Sequence, residues 1–171
     1  MVPFASKTMY LLLAFVALPQ VIAADISNEA LTGHNSFRAL HGASPLTWNG
    51  DLAAAANSWA SRCVFEHSGG QVGAFGGTPP NRSSPVTLLT IYPTENLAAG
   101  AGGDFTVTDG INGWTDEAKD YDPQNPTYSH FTQVVWKGTK ELGCALVDCP
   151  AGSIFPAEYG VRNVSLAVAA N

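Results

Sequence analysis

Leu52, Ala56, Trp59 and Cys63 recur at helical spacing along an alanine-rich run that opens after Asn49 or Asp51. Such a stripe predicts a helix with one apolar face. A one-sided helix must lie against another layer, so this run constrains the fold more than any other. Phe65-Glu66-His67-Ser68-Gly69-Gly70 ends it, the glycines turning the backbone and leaving His67 just past a rigid helix end.

Two further helices are expected. One runs from Ser27, a plausible N-cap, to His41, with Glu29 in its first turn and Gly42 as its stop. Leu31, His34, Arg38 and His41 share its inner face. The other spans residues 104–121, capped by Thr108 or Asp109. Trp114, Glu117 and Tyr121 fall on one face there, and a carboxylate on an aromatic face needs a partner. Pro45–Trp48 reads as an extended connector. Tyr128-Ser129-His130 reads as a polar turn that leads into a β-branched and aromatic strand, Thr132–Trp136. Glu141–Val147 is its expected hairpin partner. Helices followed by a small, mostly antiparallel sheet predict an α+β domain with the sheet covered by helices.

A length of 171 residues fits one domain. Lys7, the apolar run Met9–Pro19 and the small residues Ala23 and Ala24 read as a secretory signal peptide over 1–24, too short to span a bilayer. The domain is then 25–171. Net charge is -6, with 13% charged residues and no basic cluster, which argues against nucleic acid and anionic membrane surfaces as partners. Secretion favours disulfides, and three cysteines allow at most one internal bridge. Asn81-Arg82-Ser83 and Asn163-Val164-Ser165 fit the N-glycosylation pattern.

Two histidines and two glutamates have the chemistry of a site. His67 follows a helix end, His130 opens the expected strand, Glu95 opens an ordered segment and Glu117 faces inward. Converging in one cleft, they could hold a divalent metal or form a coupled acid–base cluster. Their spacing is long-range, so scattered polar residues remain the competing reading.

His34-Asn35…Arg38, Trp59-Ala60…Cys63…His67-Ser68-Gly69-Gly70, Glu95-Asn96-Leu97-Ala98, Trp114…Glu117…Tyr121 and His130-Phe131-Thr132-Gln133-Val134-Val135-Trp136…Gly143-Cys144-Ala145 occur in this order. Together they resemble the CAP superfamily of cysteine-rich secretory proteins, antigen 5 and pathogenesis-related 1 proteins, and in particular the secreted pathogenesis-related 1-like proteins of fungi. The likeness covers about Leu31–Cys149. It implies an α-β-α sandwich whose cleft floor is His67, Glu95, Glu117 and His130. The histidines would hold Zn2+ or another divalent ion, with the glutamates as ligands or orienters. It also implies a sterol or other small lipid as ligand, at Thr106, Val107, Ile111, Trp114 and Tyr121, and a Cys63–Cys149 disulfide that leaves Cys144 unpaired.

The chain departs from that pattern in three places. Ser129 stands where the family has Gly or an acidic residue. Gln71–Thr94, rich in Gly, Pro and Ser, separates His67 from Glu95, which the family keeps close. It is either a surface loop or an intron read in frame. The family's last strand is absent after Tyr159, and an unrelated tail over 160–171 takes its place, with Val164–Ala169 as a weak substitute. The resemblance therefore implies a secreted, non-enzymatic protein that binds a small apolar ligand. A protein-interaction effector or defence module is the second reading, and a metal- or His/Glu-dependent hydrolase using Ser68 or Ser129 the third.

Overall fold

The computed structural model describes residues 20–69, 95–101, 105–156 and 163–170. Most of the expected signal peptide, the 71–94 insertion and residues 157–162 and 171 lie outside these. The elements run α1 (Gln20–Leu40), β1 (Thr47–Trp48), α2 (Gly50–Ala60), β2 (Glu95–Ala101), α3 (Val107–Asp116), a 3-10 turn (Glu117–Asp120), α4 (His130–Val134), β3 (Glu141–Pro150) and β4 (Asn163–Ala170).

The sheet has the order β1-β3-β4-β2. β1 pairs in parallel with β3 through Thr47↔Glu141 and Trp48↔Leu142. β4 runs antiparallel to both neighbours, opposite Cys144 through Ala169 and opposite Glu95 through Ala170. The atypical tail therefore supplies a strand between β3 and β2. Successive β3 residues face opposite sides. Ala145 and Cys149 pack with Leu52, Ala56, Ala60 of α2 and Leu97. Leu142 and Cys144 pack with Ala30, Val107, Ile111, Trp114 and Val134 from α1, α3 and α4. Two cores on the two faces of one sheet make three layers. Gly143 is needed at this contact because a side chain there would strike the α2 backbone at Leu52 and Ala53.

The local chemistry of α2 is as the stripe predicts at its start. Asn49 caps it, its side chain accepting from Asp51 N at 2.9 Å and Leu52 N at 3.1 Å. Its end is earlier: Cys63 lies past the helix with φ 55, in the left-handed region. α1 runs unbroken through Ser27, which is therefore not its cap. Glu29 serves a different helix, its Oε1 accepting from Thr108 N at 2.8 Å and Thr108 Oγ1 at 2.6 Å near the start of α3. The cap of α3 is Thr106, in a reciprocal capping box with Asp109.

The expected strand Thr132–Trp136 is not a strand. His130–Val134 forms α4, and β3 pairs with β1 and β4 instead. Two interactions override the β-branched composition. Ser129 and Thr132 form a capping box at its start. At its far end the buried Arg38 donates from Nη1 to Val134 O at 2.7 Å and Trp136 O at 3.0 Å.

His34 is fully buried on α1 and donates from Nδ1 to Ala30 O at 2.9 Å. Burial pushes its imidazole down to about 4; the Ala30 bond works against this, and the Arg38 charge adds to it. The unfolded chain takes up this proton near 6.5, whereas the folded chain resists until about 4. Stability is therefore intact above that window and falls by about 3 kcal/mol as pH drops through it. Urea midpoints measured at intervals between these pH values should show this loss, and His34→Gln should flatten it.

Candidate functional site

The four residues singled out by the sequence reach the same place from three elements and a loop. His67 lies in the loop after α2, Glu95 begins β2, Glu117 starts the 3-10 turn and His130 starts α4. They line one cleft of about 460 Å³ with Asp120, Tyr121, Thr127, Tyr128 and Ser129.

Each histidine faces a glutamate. His67 Nδ1 lies 3.1 Å from Glu95 Oε1, and His130 Nδ1 lies 2.7 Å from Glu117 Oε1. A carboxylate only accepts, so the Nδ1 atoms carry protons, and in the neutral ring each Nε2 is left as an acceptor. The glutamates thus orient the rings. Backbone donors fix the glutamates in turn: Ser68 N bonds Glu95 Oε1, and Phe131 N reaches Glu117 Oε2 at 3.2 Å. Burial would raise the Glu117 carboxyl, but the His130 and Phe131 hydrogen bonds and the His130 charge hold it below the usual range.

Two residues besides these four hold His130 in place, Asn96 and Trp114, the latter expected at the lipid instead. Asn96, fully buried, donates from Nδ2 to His130 O at 3.0 Å. Trp114 stacks its ring 6.5 Å from that of His130, and its Nε1 donates to Leu97 O at 2.9 Å. Asn96 adjoins Glu95 in the motif that carries the family likeness, which is the one sequence signal for it. Asp120 gave no signal, and Tyr128 only its place in the polar turn before His130. The Tyr128 hydroxyl donates to Gln133 Oε1 at 3.2 Å, and its pKa is pushed up to about 12 by burial, then by the charges of Glu95 and Glu117.

The residues expected to touch lipid do not form one surface. Tyr121 lines the His/Glu cleft, and Thr106 is the exposed cap of α3. Val107 and Trp114 are buried in the core. Ile111 alone lines a second, separate hollow of about 270 Å³ between α1 and α3, with Gly33, Ser36, Phe37, Leu40, Thr108, Asn112 and Thr115. Gly33 admits Ile111 there, since a Cβ would sit 2.8 Å from its Cδ1.

Cys63 and Cys149 are joined in a disulfide with Cα atoms 5.5 Å apart. Cys144 is a buried free thiol, pushed up to about 12 chiefly by that burial. Among the described residues, no group of three or more His, Cys, Asp or Glu is placed to hold a metal ion. No helix among them is long and apolar enough to cross a membrane.

Comparison with known proteins agrees with this fold. The family model described as "Cysteine-rich secretory protein family" matches residues 31–161. Fruiting body protein SC14 of Schizophyllum commune is 38% identical over 132 residues, covering 76% of this chain and 52% of that protein. Pathogenesis-related protein 1A of Nicotiana tabacum is 34% identical over 152 residues, covering 83% and 78%. The crystal structure of NaASP2 with Zn2+ superposes with a TM-score of 0.54 at 17% identity, over 85% of this chain and 78% of that one. The chain spans about half the length of the two Schizophyllum commune fruiting body relatives it matches. With its family model covering most of the chain, and relatives more than 30% identical along most of it, the chain belongs to the CAP, or cysteine-rich secretory protein, family.

Proposed function

We propose that this is a secreted, non-enzymatic pathogenesis-related 1-like protein that binds a small apolar ligand, a fatty acid or a sterol, in the hollow between α1 and α3. One observation carries the reading. Phe37, Leu40 and Ile111 give that hollow apolar walls, and Leu40 is 79% exposed at its edge. A large exposed leucine beside an apolar hollow suits a ligand more than bulk water. Ser36 and Asn112 line the same hollow and supply polar groups for a carboxyl or hydroxyl head, whereas the Thr108 and Thr115 hydroxyls donate to Glu29 Oε1 and Ile111 O. Ser129, the serine beside His130, serves as the α4 cap and accepts from Thr132 N at 3.3 Å, which favours a structural over a nucleophilic role.

The same reading assigns any divalent ion to Nε2 of His67 and of His130. NaASP2, whose structure was determined with Zn2+, shares the fold. Because both glutamates orient the rings, such an ion would keep most of its positions for water and be held weakly.

A fluorescent long-chain fatty acid titrated into the folded protein should bind saturably. Leu40→Glu, on the exposed rim, should weaken binding about tenfold, as the loss of one apolar contact predicts. Ile111→Trp, which fills the hollow, should abolish it, and His130→Ala should leave it unchanged. Saturable binding that ignores both groove variants would remove this reading.

A further inference from the structure

One atom of the His/Glu cleft has no partner among the described residues. Glu95 is only 1% exposed, and its Oε1 takes both the His67 ring and the Ser68 backbone N–H. Its Oε2 has no hydrogen-bond partner among the described residues, although the residue lines the cleft. A buried carboxylate oxygen without a donor is costly, and it marks where a donor belongs.

The rest of the lining is rich in acceptors, with the hydroxyls of Tyr121, Thr127, Tyr128 and Ser129 as its other polar groups. Glu117 and Asp120 bring two more carboxylates from the 3-10 turn. Each histidine already gives its Nδ1 proton to a glutamate and in its neutral form presents an acceptor. Tyr121 and Tyr128 bring aromatic rings, beside Thr127 and Ser129. A divalent ion does not fit this set well, because no three ligands are gathered for it among the described residues. A planar organic cation does. Guanidinium carries five N–H donors, pairs side-on with carboxylates and packs on aromatic faces, and it demands no fixed coordination shell.

We propose that the cleft binds a guanidinium group, with Glu95, Glu117 and Asp120 as its acceptors and Tyr121 and Tyr128 as its aromatic walls. The cleft, at about 460 Å³, has room for the head and an aliphatic stem the length of an arginine side chain. A free small molecule or an arginine on an extracellular peptide would present the same chemistry. This site is independent of the α1–α3 hollow, and either can fail without the other.

The test is calorimetric titration of the whole protein at physiological salt with EDTA present, using agmatine and, separately, a blocked Gly-Arg-Gly peptide. At least one should bind saturably, and pentanol should not bind. Tighter binding of the peptide would identify a chain as the natural source; tighter binding of agmatine would identify a small molecule. Asp120→Asn sits on an exposed turn and should fold normally; it should weaken binding about tenfold, as loss of one charge-assisted contact predicts. Glu95→Gln should weaken it further if its circular dichroism is native. Ile111→Trp should leave it unchanged. No saturable binding of either probe, or affinity indifferent to Asp120→Asn, would each overturn the proposal.

Discussion

Replacing Arg38 by methionine should destabilise the domain by about 3–5 kcal/mol, the cost of leaving buried polar groups without their partner. Arg38 is fully buried, and its guanidinium joins three separate segments. Nε donates to Ser44 O at 2.9 Å, Nη1 to Val134 O and Trp136 O, and Nη2 to Thr139 O at 3.2 Å. These carbonyls include the end of α4, a five-residue helix too short to hold itself. Methionine fills similar space and offers no donor, so the loss is of hydrogen bonds more than of volume. Lysine restores a charge but not the planar fork, and Arg38→Lys should fall between the two. Urea denaturation followed by tryptophan fluorescence measures all three. A loss below about 1 kcal/mol, the scale of a single ordinary hydrogen bond, would contradict this role. His130 begins α4, so the folded fraction of Arg38→Met should also show a disordered His130 ring.

Breaking the Cys63–Cys149 disulfide should cost about as much. The bridge spans 86 positions and ties the segment after α2 to the end of β3. Closing a loop of that length in the unfolded chain corresponds to about 4–5 kcal/mol in the chain-entropy model. For a domain of this size that is a fall in Tm of roughly 10–15 °C. Scanning calorimetry of Cys63→Ala/Cys149→Ala against the parent measures it, and a shift of only one or two degrees would show that the bridge constrains little. The third cysteine gives a control. Cys144 is buried and its thiol is pushed up to about 12, so a thiol reagent should find no reactive group in the folded protein and one after denaturation.

What could be read from the sequence divides along local and non-local lines. The start of α2 was legible because Asn49 and the Leu52, Ala56 stripe act within a few residues of each other. The α1 and α3 segments were legible as helices, though not their ends: Thr106 caps α3 by bonding Asp109, and α1 continues back through Ser27. α4 was misread as a strand because its composition favours one, while a donor 96 positions away holds its end. β4 was legible only as a weak substitute. Its apolar content is modest, and its place depends on pairing with β2 and β3 together. His67, Glu95, Glu117 and His130 were legible through the family likeness. Their spacing alone left the matter open, because the loop after α2, β2, the 3-10 turn and α4 must converge to form the cleft. Asp120 and Tyr128 had no motif to announce them and enter only through that convergence.

The central claim is that the apolar ligand lies between α1 and α3 and not in the His/Glu cleft. Amide chemical shifts of isotope-labelled protein during titration with a long-chain fatty acid test it most directly. The account predicts that shifts concentrate at Gly33, Phe37, Leu40, Ile111 and Thr115, while His67, Glu95, Glu117 and His130 stay in place. Shifts centred on the cleft residues, or none under saturating ligand, would contradict it.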